Sequence, residues 1–139
     1  MLTIKPLTTR GLFGWLLVGW VVINLLQATF TDLSNDEAYY ALWGQNLDWG
    51  YFDHPPMVAL FTFLSSLLAP GALGVRLMTV LAQALTLWLV WRLLEESGLK
   101  AASDSVLSFF IAAASLVMFA ALGFVTTPDV PLLLFAALF

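Results

Sequence analysis

The sequence contains no cysteine and few charged residues, and both absences narrow the kind of protein it can encode. Without cysteine it can form neither a disulfide framework nor a thiolate metal site. Charged residues make up only 10% of the 139 residues, whereas roughly a quarter is typical of soluble domains. Five basic residues stand against nine acidic ones, so there is no basic patch for a nucleic-acid partner. The composition predicts an all-α membrane protein.

Apolar runs give the expected topology. A helix needs about 20 residues to cross the hydrocarbon core. Three runs meet this length, and a fourth covers only half the membrane; they are residues 11–30, 73–94, 105–125 and 130–139. We therefore expect a polytopic helix bundle, with this chain as the N-terminal part of a longer protein. The first run exceeds the 7–15 residues of a signal peptide, which favours an uncleaved span.

An outer loop, residues 31–72, separates the first two predicted spans. Its apolar stretch 57–69 is too short to cross the membrane. This stretch follows Pro55 and Pro56, and proline suits the first turn of a helix. We expect it to form an interfacial helix or one packed against the bundle.

Basic residues set the expected orientation. Lys5 and Arg10 precede the first span, while Arg92 and Lys100 flank the turn after the second. The bias of basic residues towards the inside predicts a cytoplasmic N-terminus. The loop 31–72 and the turn 126–129 then share the outer face.

The segment 31–56, here called the acidic segment, is the polar exception in this sequence. It holds five of the nine acidic residues and the only histidine, but no lysine or arginine. Topology should bring part of it together with Asp129 on one side of the membrane. The residues concerned are Asp36, Glu37, Asp53, His54 and Asp129.

Each of these carboxylates has a simple structural interpretation. Ser34 and Glu37 fit a capping box with Asp36 in the first turn, where the helix dipole favours an acid. Asp53 is placed to cap the helix that follows Pro55. Asp129 follows Pro128 at another helix start.

Taken together, the carboxylates also fit a functional site. A cluster of like charges repels itself unless it binds a cation or holds a proton. Such a pocket can bind a divalent metal or deprotonate a hydroxyl. Asp53 beside His54 allows a mixed oxygen and nitrogen metal site.

Aromatic residues and one arginine leave two interpretations open. Tyr and Trp favour the membrane interface whatever the function, but they can also stack on a sugar ring; here they are Tyr39, Tyr40, Trp43, Trp49, Tyr51 and Phe52. Arg76 can snorkel to the headgroups or pair with a lipid-borne phosphate.

Three motifs then carry a family resemblance. They are Asn-Asp-Glu-Ala-Tyr-Tyr at 35–40, Asp-His-Pro-Pro at 53–56 and Thr-Pro-Asp at 127–129. Their order and the topology resemble bacterial members of the dolichyl-phosphate-mannose protein mannosyltransferase superfamily. These are polytopic glycosyltransferases of the GT-C fold, and the lipid A aminoarabinose transferases are relatives. The resemblance covers essentially the whole chain.

The resemblance implies a reaction at the outer face of a bacterial inner membrane. A sugar carried on a polyprenyl phosphate would pass to a hydroxyl of a lipid, protein or glycan acceptor. Asp36 matches the proposed general base, and Glu37 is its motif partner, orienting the acceptor or supporting the loop. Direct displacement would invert the anomeric centre.

The resemblance also bears on two further acidic residues. Asp53 matches an acidic position that in some relatives helps hold a divalent cation near the donor phosphate, and Asp129 matches an acidic residue that lines the same cavity. From the residues themselves, His54 joins Asp53 in the predicted metal site, and we assign Asp129, Arg76 and Tyr40 to substrate binding. The rival interpretations are a transporter or lipid flippase, in which intramembrane carboxylates carry ions, and a non-catalytic subunit with a docking loop.

Overall fold

The computed structural model describes residues 8–97, 106, 108–112 and 123–139. Within these residues every regular element is a helix, which confirms the all-α prediction for this part of the chain. The helices are α1 (Thr9–Phe30), α2 (Asn35–Gln45), α3 (Met57–Leu68), α4 (Leu73–Glu96) and α5 (Asp129–Leu138).

Helices α1 and α4 are the first two predicted spans, and both are long and apolar enough to cross a membrane. They pack antiparallel, as contacts at their two ends show. At one end Arg10 at the start of α1 pairs with Glu95 at the end of α4, with Nε and Oε1 3.2 Å apart. At the other end Arg76 donates to the backbone oxygen of Thr31 at 2.8 Å. We call these the basic end and the acidic end of the bundle.

The predicted span 105–125 lies largely outside the described residues, but its two described ends lie at opposite ends of α4. Val106 packs against Phe13 and Trp91 near the basic end. Thr126 donates through its hydroxyl to the backbone oxygen of Val75, at the acidic end. Residues 123–125 form a turn and a bend, so the last three residues of the predicted span are not helical.

Helices α2 and α3 pack against each other at the acidic end of the bundle. The capping box at the start of α2 is confirmed, because both of its hydrogen bonds are present between Ser34 and Glu37. At Gly44, α2 approaches α3 so closely that a Cβ there would lie 2.5 Å from the Thr62 hydroxyl oxygen. Helix α3 matches the predicted apolar stretch but has no side-chain cap. The alternative that Asp53 caps it was therefore wrong.

Helix α5 begins at Asp129, one position later than the Pro128 start that the sequence suggested. Its Val130 packs with Phe61 of α3 and Ala82 of α4. Its last residues, including Leu138, line a groove with Arg92 near the basic end. Because α5 therefore runs parallel to α4, its start places Asp129 at the acidic end.

Candidate functional site at the acidic end

Glu37 is fully buried at the start of α2, with 0% of its surface exposed. One carboxylate oxygen accepts from the Arg76 Nε at 2.7 Å and the other from its Nη2 at 2.7 Å. The backbone N–H groups of Ser34 and Thr126 each donate to the carboxylate at 3.0 Å. The side chain thus joins three segments that are distant in sequence.

Arg76 is equally buried, at 1% exposure, and all three guanidinium nitrogens are engaged. Besides Glu37, it donates to the backbone oxygens of Ala28 at 3.2 Å, Thr31 at 2.8 Å and Asp32 at 2.8 Å. It also donates to the Thr31 hydroxyl at 2.8 Å. The Phe124 ring centroid lies 5.1 Å from the guanidinium carbon. This cation therefore ties the end of α1 to the start of α2.

The surroundings of Glu37 keep it ionised. Burial by itself would raise the pKa of this carboxyl group. The hydrogen bonds from Arg76, Ser34 and Thr126, together with the positive charge of Arg76, outweigh burial and lower the pKa. A buried charge pair of this kind is tolerated when its remaining hydrogen-bonding positions are satisfied.

Two site predictions change in the light of this geometry. A fully buried carboxylate held by four donors is not placed to take a proton from a substrate, so the catalytic assignment of Glu37 gives way to its alternative, support of the loop. Arg76 neither snorkels nor presents a free donor to a lipid phosphate, because its guanidinium is already bonded within the protein. We correct both assignments to structural roles.

Thr126 is the residue that sequence reasoning missed. Its N–H donates to Glu37, and its hydroxyl lies 2.8 Å from the hydroxyl of Thr79 in α4. The sequence offered one signal that other segments meet here: Arg76 is the single arginine at the acidic end, and a buried charge needs a partner on a neighbouring segment. No pattern in the sequence indicated the backbone donor.

The aspartates of the three motifs lie close enough to Tyr40 for their charges to act on its hydroxyl. Tyr40 is 5% exposed, whereas Asp36, Asp53 and Asp129 are all exposed. Burial raises the pKa of the Tyr40 hydroxyl, and the charges of Asp36, Asp53 and Asp129 raise it further. All three carboxylates thus act on one hydroxyl. These residues thus lie at the same end of the bundle, and their position on one side of a membrane stays a prediction.

Tyr40 belongs to a cluster of aromatic side chains close to these carboxylates. Its ring centroid lies 5.3 Å from that of Trp43 and 5.5 Å from that of His54. Trp43 stacks on Tyr51 at 4.4 Å with an interplanar angle of 11°. Because Tyr40 and Trp43 are buried, these rings act mainly as packing for the loop.

Asp53 and His54 are neighbours in space as well as in sequence, but they make an incomplete metal site. The His54 Nδ1 lies 4.0 Å from the Asp53 Oδ2 and contacts the backbone oxygen of Asp53 more closely. In the described part of the chain, no group of three or more histidine or acidic side chains converges as metal ligands would. Two donors alone do not fit a protein metal centre, so the divalent cation stays a prediction.

Comparison with known proteins gives a partial match to a glycosyltransferase. Over 40 residues, 29% of its length, the chain is 50% identical to a lipid A galacturonosyltransferase of Rhizobium johnstonii. That match spans only 8% of the relative's own length. No solved structure matches the chain.

The family assignment rests on a longer match. Residues 53–139, more than half of the chain, match the model of the dolichyl-phosphate-mannose-protein mannosyltransferase family. The matched region includes two of the three motifs that suggested the resemblance, and its helices are the apolar ones of a membrane protein. The chain therefore belongs to the dolichyl-phosphate-mannose-protein mannosyltransferase family.

Proposed function

We propose that this chain forms the acceptor-side part of a membrane glycosyltransferase. The enzyme would transfer a sugar from a polyprenyl-phosphate donor to an acceptor hydroxyl at the outer face of a bacterial inner membrane. Family membership supports the reaction class. The observation that carries the assignment of this site is geometric: Asp36 lies in the first turn of α2 beside the buried Glu37, and Glu37 accepts from the backbone of Thr126, three residues before Asp129.

Asp36 is the proposed general base. It lies in the first turn of α2, exposed, next to the buried Glu37 that fixes that turn. A hydroxyl is a poor nucleophile near neutral pH, and a carboxylate within hydrogen-bond reach can accept its proton as attack proceeds. The hydroxyl oxygen bonds to the anomeric carbon, the bond from that carbon to the phosphate oxygen breaks, and polyprenyl phosphate leaves. This direct displacement inverts the anomeric centre.

Glu37 and Arg76 are proposed as positioning residues. Their ion pair links α1, α2, α4 and the turn before α5, and Asp129 begins α5 only three residues after Thr126. The pair therefore fixes both Asp36 and Asp129 relative to the spans. A displacement of about 1 Å from such a geometry can cost on the order of 10²-fold in rate.

The leaving phosphate needs a cation as its negative charge develops. In the described part of the chain, the arginine at the acidic end is consumed by Glu37, while Arg10 and Arg92 pair with acids at the basic end. We place the donor phosphate against groups outside the described residues. An aspartate-rich face without a free cation suits the hydroxyl-bearing acceptor better than the phosphate-bearing donor.

The test is a sugar-transfer assay with the full-length protein in proteoliposomes. The measured quantity is the polyprenyl phosphate released from candidate donors. An envelope lipid is the first acceptor to try, because the relative's name describes transfer to lipid A. The variants are Asp36→Asn and, as a matched control, Asp48→Asn, an exposed aspartate in the same segment. Asp36→Asn should lose about 10²–10⁴-fold in rate, while Asp48→Asn stays near wild type.

Equal release by wild type and Asp36→Asn would remove Asp36 from the mechanism and leave it the role of stabilising the first turn of α2. A folded wild-type protein that releases nothing from any donor, but moves a lipid or ion across the membrane, would overturn the proposal in favour of the transporter interpretation.

A further inference from the structure

A groove with charged and apolar linings lies between α1 and α4 at the basic end of the bundle. Its volume is about 210 Å³. The charged residues that line it are Arg10, Arg92 and Glu95. Its apolar lining includes Phe13 and Trp91, whose stacked rings have centroids 4.8 Å apart. The groove thus places two cations beside an aromatic wall, at the opposite end from the acidic site.

The two arginines of this groove share one carboxylate. The Arg10 Nε lies 3.2 Å from the Glu95 Oε1, and the Arg92 Nε lies 3.8 Å from the Glu95 Oε2. The Arg92 guanidinium carbon also lies 5.7 Å from the centroid of the Trp88 ring, another residue of the groove lining. Glu95 and Trp88 therefore hold both guanidinium groups beside the same groove.

Most N–H donors of these arginines are unused within the described part of the chain. An arginine side chain has five such donors, and Arg10 donates only through its Nε, to Glu95. Arg92 donates through its Nη2 to Glu96 at 3.2 Å. Arg76 at the acidic end differs, since all three of its nitrogens are bonded within the protein. Guanidinium donors are therefore available at the basic end only.

The apolar part of the groove extends from the arginines along α1. Arg10, Gly14 and Leu17 recur at helical spacing on one face of α1, and all three line the groove. A Cβ at Gly14 would meet no described atom outside its own helix within 4 Å. An open apolar channel thus leads from the charged groups towards the middle of the predicted span.

This combination selects a lipid over a soluble anion. Guanidinium groups bind phosphate oxygens through paired N–H donors, and basic pockets between transmembrane helices are typical sites for anionic headgroups. A soluble anion would contact the arginines but leave the channel beside Gly14 and Leu17 unfilled. A headgroup without an ammonium group fits better, because the nearby carboxylates of Glu95 and Glu96 are already paired with arginine.

We propose that this groove binds one anionic phospholipid from the leaflet at the basic end. Its phosphate accepts from the free Nη groups of Arg10 and Arg92, and one acyl chain lies beside Gly14 and Leu17. The bound lipid ties the start of α1 to the end of α4, where the protein itself provides only exposed ion pairs. This site is independent of the proposed sugar transfer.

Lipid retention by the full-length protein tests the proposal. The protein, purified in a neutral detergent, is offered equal amounts of phosphatidylglycerol and phosphatidylcholine, and the bound lipids are counted by native mass spectrometry. Arg10→Gln and Arg92→Gln each remove one guanidinium group. Glu95→Gln is the matched control, because it breaks the same ion pairs but keeps both arginines. Lipids bound elsewhere on the protein are common to all variants, so differences between variants report this groove.

Wild type should retain phosphatidylglycerol in preference to phosphatidylcholine. Each arginine variant should bind phosphatidylglycerol about five-fold more weakly, the contribution of one basic side chain near an anionic surface. Glu95→Gln should bind it at least as well as wild type, because more guanidinium donors become free.

Three results would overturn the proposal. Equal retention of the two lipids by wild type would remove the preference for an anionic headgroup. Equal losses in Arg10→Gln and Glu95→Gln would leave the arginines as partners of the glutamates alone. Displacement of phosphatidylglycerol by excess inorganic phosphate would indicate a site for a soluble anion. Because no sugar donor is used, each of these results leaves the glycosyltransferase proposal standing.

Discussion

The two ends of the helix bundle both contain ion pairs between α4 and its neighbours, yet the pairs differ in burial. At the acidic end, the side chains of Arg76 and Glu37 are 2% and 0% exposed. At the basic end, Arg10 of α1 pairs with Glu95 of α4, with side chains 77% and 18% exposed, and within α4 itself Arg92 pairs with Glu96, with side chains 45% and 65% exposed. The ion pair at the acidic end is therefore buried and fixes the local geometry, whereas the ion pairs at the basic end are exposed to water.

The difference shows which end needs precise geometry. An exposed pair contributes little and is screened by salt. A buried pair with satisfied hydrogen bonds adds little net stability over apolar packing, but losing one partner is severe. The acidic end carries the buried pair and also the proposed general base, Asp36.

Glu37→Gln should have the largest effect on the difference between the two ends, because it leaves the Arg76 charge buried without its carboxylate. We expect the free energy of unfolding to fall by about 3–5 kcal/mol, the usual cost of breaking a buried pair. Denaturant unfolding in detergent micelles would measure it. Replacing both partners together, as in Glu37→Met with Arg76→Met, should be less harmful than the single change, because no unpaired charge remains. A double variant no more stable than Glu37→Gln would contradict this account.

Lowering the pH tests the contribution of the buried Glu37 carboxylate to stability without a mutation. The pKa of Glu37 is lowered from 4.5 on folding, so the unfolded chain binds a proton more readily than the folded one. The stability that this carboxylate contributes is present above about pH 4.5 and is lost as the pH falls through its lower folded pKa. Unfolding of wild type and Glu37→Gln measured from neutral pH downwards should converge. A gap that persists at the lowest pH would mean that the ionised form is not what stabilises the acidic end.

At the basic end, Glu95→Gln should change the free energy of unfolding by no more than about 1 kcal/mol. The small effect should shrink further in high salt, because the pair is exposed to water. The same denaturant experiment at two salt concentrations would measure it. A loss comparable to that of Glu37→Gln would erase the distinction between the two ends.

Much of this fold followed from apolar length, since α1 and α4 begin and end within two residues of the predicted spans. The capping box of α2 also followed from local sequence, because Ser34 and Glu37 contact each other across one turn. Convergence of the aspartates followed from topology alone. These are features that chain order and short spacing determine.

The role of Glu37 and Arg76 could not be predicted in the same way. Their contact joins residues 39 positions apart, and its depth depends on the packing of α1, α2 and α4 against one another. A resemblance identifies Asp36-Glu37 as one motif, but it does not separate the exposed member from the buried one. Burial separates them, and burial is a property of the assembled helices.

The pKa of Tyr40 is a sensitive probe of the acidic end, because the charges of all three motif aspartates act on its hydroxyl. The pKa of Tyr40 is raised by burial and then by the charges of Asp36, Asp53 and Asp129. Asp129→Asn should therefore lower the pKa of Tyr40 towards 10.0, and Asp53→Asn should act in the same direction. Absorbance of the ionised tyrosine across an alkaline titration measures this, with Tyr40→Phe identifying its share.

Asp48→Asn is the control for that titration, since this aspartate is exposed but does not act on the hydroxyl. Because the folded pKa of Tyr40 is raised, its contribution to stability is present below about pH 10 and is lost as the pH rises through the folded value. If Asp129→Asn and Asp48→Asn shift the titration equally, then Asp129 does not lie over Tyr40. The turn before α5 would then sit elsewhere, and the acidic end would contain two aspartates near its tyrosine instead of three.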